Sequence, residues 1–461
     1  MKHLIFSAVS TMIALTGAAQ TYNMEITLKD GSKQTIAADN VSEVRFVEST
    51  GEVTDEFNIL TEEYIPDGVL RNIIKEQVAD GKETLTNVEA SKYMGGITLT
   101  DYRVQNFEGI QYFTSLTSLV ADGVFAKTLD ASALTELQEL SINRSQVESL
   151  TLGSEKLQVI NIGGSMLKNY DITILPSTIQ EINVDGLEYS SLDFTCFPEV
   201  EVINCSQNVL TELNVAGLIQ LKKILFTTNN LTEVSFAGCS SLEIIAGSYN
   251  LGLTNIDLTG CANIRNFMFM NTALESFDTA PFASTLEELN LGWTQIKSLN
   301  IANCINLTYL ALDNCGLSEE LDFSACTKLD VLRLDNNEIP ALDLSNCPDI
   351  AEIQCSTNNS LKSIKLANHL TKLYQLNIDN VPALESFEWG STDAMEYANI
   401  YMTSLKRIDI SKVNQDYRNL YFDYNENLEE IKVWEGFDID NPPTNIQVPA
   451  GTKFVYEFSE N

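Results

Sequence analysis

Histidine is almost missing from this chain: His3 and His369 are the two among 461 residues. A zinc site of the H-E-x-x-H kind is therefore excluded, and a serine or cysteine nucleophile would have to take its base from His369. That residue sits beside Asn368 in what reads as a surface loop. Basic residues are scarce as well, 28 Lys and Arg against 64 Asp and Glu, for a formal net charge of -36. Such a surface repels a phosphate backbone and an anionic membrane alike, which excludes nucleic acid as a partner. The acids are scattered singly, the pattern of a solubilising surface, and imply no metal. Also lacking are a G-x-S-x-G elbow, a phosphate-binding loop and a dinucleotide fingerprint. A carboxylate pair could hydrolyse a glycoside, yet Asp257, Asp322 and Asp343 recur at equivalent slots of a repeat, and repetition marks architecture. The expectation is a chain that is not an enzyme and uses no cofactor.

No segment is apolar for the roughly 20 residues that a bilayer requires. The start of the chain has instead a basic Lys2, an apolar stretch from Leu4 to Leu15, and small residues Gly17 and Ala19 before Gln20. This reads as a secretory signal peptide over 1–19, so the chain is expected to be exported: periplasmic, extracellular or on the cell surface. The first cysteine is Cys196, which leaves none just after the apolar run to carry a lipid.

Nine cysteines in an exported chain suggest disulfides, but their spacing argues otherwise. Cys239, Cys261, Cys304, Cys326 and Cys347 stand 22, 43, 22 and 21 residues apart, as if one slot recurred with one turn missed. A slot stacked on itself is a buried small apolar position, which a free thiol fills well.

The same period governs the apolar residues. Leu221, Ile224, Phe226, Asn229 and Leu231 spell L-x-x-L-x-L-x-x-N-x-L, and the phrase returns in Leu329-Leu332-Leu334-Asn337-Ile339 and Val200-Ile203-Cys205-Asn208-Leu210. Its last position recurs from Val147 to Leu428 at intervals of 20 to 23 residues. One such unit cannot bury its apolar face alone, whereas stacking makes a continuous core with a parallel sheet. In this the chain resembles leucine-rich-repeat proteins, in particular the short-repeat, internalin-like and BspA-like group of bacterial cell surfaces, over roughly residues 104–436.

The expected fold is an α/β-type solenoid: a leucine-rich-repeat arc of about 15 repeats, with short parallel strands on its concave face, mostly irregular convex returns and a helical N-terminal cap over 55–103. The cap is read from Val69, Ile73, Ile74 and Val78 at helical spacing, a turn at Asp80-Gly81, and a second helix from Val88 to Tyr93. In internalin-like caps such a turn is often a calcium loop. Here Val78, Lys82 and Glu83 stand where ligands and glycine are needed, so no calcium is expected. Residues 20–50 form a separate β-module, with strands at Met24–Leu28 and Val44–Val47, resembling one common in exported proteins of Bacteroidetes. After Pro442-Pro443, Phe454-Val455-Tyr456 belongs to a closing cap at 437–461.

The resemblance implies a concave face that binds a ligand without transforming it. Positions flanking the strand leucines in the middle repeats are unusually apolar: Leu225, Ile244, Ala246, Tyr249, Met268, Met270, Trp293, Tyr309 and Ala311. Tyr249, Met270 and Trp293 are expected to point outward from three successive strands. A second cluster, Tyr397, Tyr401, Tyr421 and Tyr424, lies on the last strands with Met402, Asn399 and Asp423. Aromatic rings beside short polar side chains suit either a protein partner or a sugar. A protein ligand is the first expectation, with a glycan-binding module or a structural envelope protein as alternatives.

Overall fold

The computed structural model describes residues 23–27, 33–37, 56–99 and 101–459. The expected signal peptide and the expected strand at Val44–Val47 lie outside these. The chain divides into two units, Met1–Asp55 and Glu56–Asn461. Within the first, strand Asn23–Thr27 pairs antiparallel with Lys33–Ala37, Met24 opposite Ile36.

The second unit begins with helix α1, Gly68–Gln77. Asp67 caps it by accepting the Val69 and Leu70 N–H groups, and Leu70 and Ile74 are buried beneath it. Asp80 and Gly81, both at positive φ, turn the chain out of the helix. A short helix α2, Asn87–Ser91, follows behind a capping box in which the Glu89 carboxylate accepts the Thr86 N–H at 2.8 Å while Thr86 Oγ1 accepts from Glu89 N–H. Glu89 thus closes a helix start, and that hydrogen bond lowers its pKa.

From Gly96 onward the chain winds into one parallel sheet of 17 strands. It is an open ribbon: Gly96–Thr98 pairs with Ser118–Val120 at one end, Ile446–Gln447 with Asn419–Tyr421 at the other, and each strand between them bridges two neighbours. At about 4.8 Å per strand the ribbon runs on the order of 75 Å. Its first and last strands fall inside the segments expected as caps, so the stacking continues through both. Most strands are three residues long with a buried centre and half-buried flanks, as in Val202–Asn204 and Ile244–Ala246. The returns carry more order than expected. Short parallel ladders form at Ser191–Asp193 through Asn255–Asp257 and at Ala341–Leu344 through Ser386–Glu388, because a repeat this short folds flat and stacks on both sides.

Asparagines hold the ribbon's turns. Asn229, Asn250 and Asn337 each donate to backbone carbonyls both in their own repeat and in the preceding repeat. Each also accepts an N–H of the preceding repeat, from Leu210, Leu231 and Leu317. All three are buried, and successive asparagines share carbonyls, as Asn229 and Asn250 do at Phe226, so the row ties each turn to the next. Where the row is broken, Thr272 and Thr294 bond a carbonyl of their own repeat but no backbone group of the preceding one, and Thr294 Oγ1 also meets Cys315 Sγ of the next repeat at 3.5 Å.

Candidate functional site

Outward residues of the ribbon fall into rows, one residue per repeat. Two rows flank each buried strand centre. A third lies two residues beyond the strand and a fourth immediately after it, just before the asparagine row. The fourth row has an unusual backbone. Arg144, Gln207, Thr228, Tyr249, Asn271, Trp293, Asn314, Asn336, Thr357, Asn380, Met402 and Tyr424 all have φ between 53° and 61°, and Gly123, Gly164 and Gly186 share the conformation in the early repeats. The left-handed region suits glycine and asparagine and costs other residues about 1–2 kcal/mol.

Four large hydrophobic side chains occupy this costly row, and all are exposed: Tyr249 at 44%, Trp293 at 56%, Met402 at 51% and Tyr424 at 70%. The row forms the rim of the concave face. Tyr249 shares a shallow hollow with exposed Val209 and Leu251. Strand alternation in the sequence predicts Tyr249, Met270 and Trp293 on three successive strands. They stand instead in turns after the strands, and Asn271, not Met270, is the partner of Tyr249 and Trp293 in their row. Met270 is half-buried one slot earlier, where its N–H donates to Ser248 Oγ. The sign of φ explains the difference: strand alternation ends where the backbone turns left-handed.

Met268 and Tyr309 do lie in strands, at Asn266–Met268 and Tyr309–Ala311, half-buried on the concave face. Tyr397, Tyr401 and Tyr421 are likewise half-buried, and Tyr401 meets Tyr424 edge to face at 6.4 Å between ring centres. Two groupings result, a rim line through Tyr249 and Trp293 and a tyrosine cluster on the last strands.

The third row is acidic in part, for a structural reason. Asp122, Asp313 and Asp335 accept the N–H of the next repeat, from Asn143, Asp335 and Ser356 at 2.8, 3.0 and 2.6 Å. Burial pushes the Asp335 carboxyl up to about 6, against the pull of its Ser356 N–H bond and with help from the Asp313 and Asp379 charges. A raised carboxyl holds its proton in the native state while the unfolded chain releases it. Asp335 therefore favours folding as pH falls from about 6 toward its ordinary value of 3.8.

His369 is exposed and has company that the sequence did not announce. Its Nδ1 lies 2.7 Å from Ser391 Oγ and its Nε2 3.2 Å from Asp393. These are the residue types of a hydrolytic triad, but both the N–H and the hydroxyl of Ser391 lie within hydrogen-bond reach of the Asn368 carbonyl, at 3.0 and 3.2 Å. A ladder bond thus occupies the N–H that an oxyanion would need.

All nine cysteines are free, Cys196 exposed and the rest buried. Cys239, Cys261, Cys304, Cys326 and Cys347 stack in the returns, with buried Ala283 in the turn that cysteine misses. Cys239 and Cys261 donate to Val215 and Phe236 carbonyls of the preceding repeat. Burial pushes the thiols of Cys261, Cys326 and Cys347 up to about 12, far from the thiolate that reacts. A thiol reagent at pH 8 is expected to label one cysteine of the folded protein rapidly and nine after unfolding without reductant. Fewer than nine in the unfolded chain would reveal disulfides and contradict the stacked-thiol arrangement.

Among the described residues no group of three or more His, Cys, Asp or Glu could hold a metal, and no helix is long and apolar enough to cross a membrane. The architecture is that of a leucine-rich-repeat solenoid. No family model matches the chain. Among solved structures, the functional domain of InlJ from Listeria monocytogenes, described as including a cysteine ladder, is similar at 18% identity and a TM-score of 0.56, over 85% of this chain and 80% of that one. YopM from Yersinia enterocolitica is similar at 16% identity and a TM-score of 0.49, over 84% and 94%. In sequence, the Protein SUPPRESSOR OF npr1-1, CONSTITUTIVE 1 of Arabidopsis thaliana is 27% identical over 191 residues, 40% of this chain. This chain spans only 13% of that relative's length.

Proposed function

We propose that this chain is an exported, non-enzymatic binding protein whose rim and concave face receive a protein ligand. One observation carries the reading: Tyr249, Trp293, Met402 and Tyr424 stand exposed in a left-handed row where asparagine or glycine would be less strained. Strain kept at a surface line of large side chains is explained by what those side chains touch outside the chain. Aromatic anchors of this kind dominate protein interfaces. The apolar leader and the resemblance to cell-surface repeat proteins support an exported location, and the charge of -36 supports a partner with basic residues.

Trp293→Asn is expected to leave the denaturant midpoint unchanged or raised, by up to about 1 kcal/mol, since asparagine tolerates the left-handed backbone. A loss of about 3–5 kcal/mol would mean a core residue and would refute the rim assignment. Immobilised wild type and the variant Tyr249→Asn, Trp293→Asn, Tyr424→Asn would then be exposed to secreted and membrane extracts. Proteins held by wild type and lost at least about 30-fold by the variant support the proposal, as expected when a hot spot of about 2 kcal/mol is removed. Equal retention, or none, overturns it.

A further inference from the structure

The two longest strands of the ribbon, Gln375–Val381 and Tyr397–Thr403, lie side by side near its end. Elsewhere in the ribbon strands have two or three residues, so only here does flat pairing run on through Asp379↔Tyr401 to Val381↔Thr403. Alternation then turns three residues of each strand to the concave side. With the next strand, Asn419–Tyr421, and with Asp423 two residues past its end, they form a grid of nine: Gln375, Asn377 and Asp379; Tyr397, Asn399 and Tyr401; Asn419, Tyr421 and Asp423. All nine are half-buried shoulder to shoulder. The grid measures about 10 Å across the strands and about 13 Å along them, the scale of two or three sugar rings.

Its chemistry is narrow: three phenol rings, three asparagines, a glutamine and two carboxylates. Tyr397 is pinned at its edge, where Arg418 lies over the ring at 5.8 Å, reaches the hydroxyl at 3.2 Å and pairs with Glu396. Asn399 Nδ2 donates to Asn377 Oδ1 at 2.8 Å, which orients both amides and leaves Asn399 Oδ1 and Asn377 Nδ2 without a partner. The carboxylates differ from their row-mates. Asp313 and Asp335 spend theirs on the next repeat's N–H. Asp379 and Asp423 make no such bond, because beside Asp379 the extended pairing takes over the ladder. The phenol of Tyr401 lies between them, and burial together with both charges raises its pKa.

We propose that this grid is a carbohydrate-binding platform for a neutral oligosaccharide. Ring faces stack on the C–H faces of pyranoses, and oriented amides and unspent carboxylates take the hydroxyls in two directions, as in sites where a few placed polar groups fix orientation. The grid holds no cation of its own, and Arg418 is neutralised by Glu396, so sialylated, sulfated and uronic sugars are disfavoured. The platform is independent of the rim residues Tyr249 and Trp293.

The test is a printed array of neutral and acidic oligosaccharides, followed by calorimetric titration of the strongest responder into the full chain. Saturable binding to a neutral oligosaccharide is expected, weakened at least tenfold by Tyr401→Ala and by Tyr421→Ala and unchanged by Trp293→Asn. Should a tyrosine variant melt early, Asp379→Asn with Asp423→Asn serves in its place, with the same tenfold loss expected. Absence of any neutral responder, preference for acidic sugars, or binding that survives both sets of changes overturns the proposal. So does loss of captured proteins in the grid variants with no sugar bound, which would make the grid part of the protein interface.

Discussion

Asn250→Ala is expected to destabilise the fold by about 2 kcal/mol or more, read as a lower denaturant midpoint. The side chain is fully buried, donates to the Phe226 and Gly247 carbonyls at 3.1 and 2.9 Å, and accepts the Leu231 N–H at 3.1 Å. Alanine leaves the Gly247 carbonyl and the Leu231 N–H without partners, while the Phe226 carbonyl keeps its bond from Asn229, and each orphaned group costs about 1–3 kcal/mol when buried. Because each repeat leans only on its neighbours, the loss is also expected to broaden the transition as the two halves melt apart. A cost below about 1 kcal/mol would show that the asparagine row does not hold the turns.

Phe267→Ala is the second large effect, with about 3–5 kcal/mol lost on the same measurement. Phe267 is the buried centre of strand Asn266–Met268, 4.0 Å from the ring centre of Phe269 and 4.2 Å from that of Phe277. Phe269 meets Phe226 of two repeats earlier at 5.8 Å, across Gly247 of the repeat between them. A tight aromatic stack crossing repeats cannot close over the space of a lost ring. Phe267→Leu refills much of the volume and is expected to recover at least half the loss. If the alanine variant is nearly as stable as wild type, the stack is not what joins these repeats.

Much of this architecture was legible in the sequence. The slots Leu221, Ile224, Phe226 and Leu231 are all buried, and the cysteine spacing marked a real stack in the returns. The left-handed row was also written in the chain, as glycine or asparagine at 164, 186, 271, 314, 336 and 380, but Tyr249 and Trp293 at equivalent positions disguised it. Reading them as strand residues followed from extending the alternation one step too far. The partners of His369 left no mark either, since Ser391 and Asp393 stand one repeat away and are brought beside it only by the winding.

The period of the apolar residues by itself determined that this is a solenoid and which side chains form its core, since a repeat of about 21 residues buries its leucines only against copies of itself. Composition by itself also set the net charge of -36. What only the tertiary structure decided is where strand ends and turn begins in each repeat. That boundary depends on the sign of one backbone angle and on how far the neighbouring strand keeps its hydrogen bonds, and neither is a property of a residue alone. It separates the rim of Tyr249 and Trp293 from the flat grid around Tyr401, because the ladder stops early in the middle of the ribbon and runs on between Gln375–Val381 and Tyr397–Thr403.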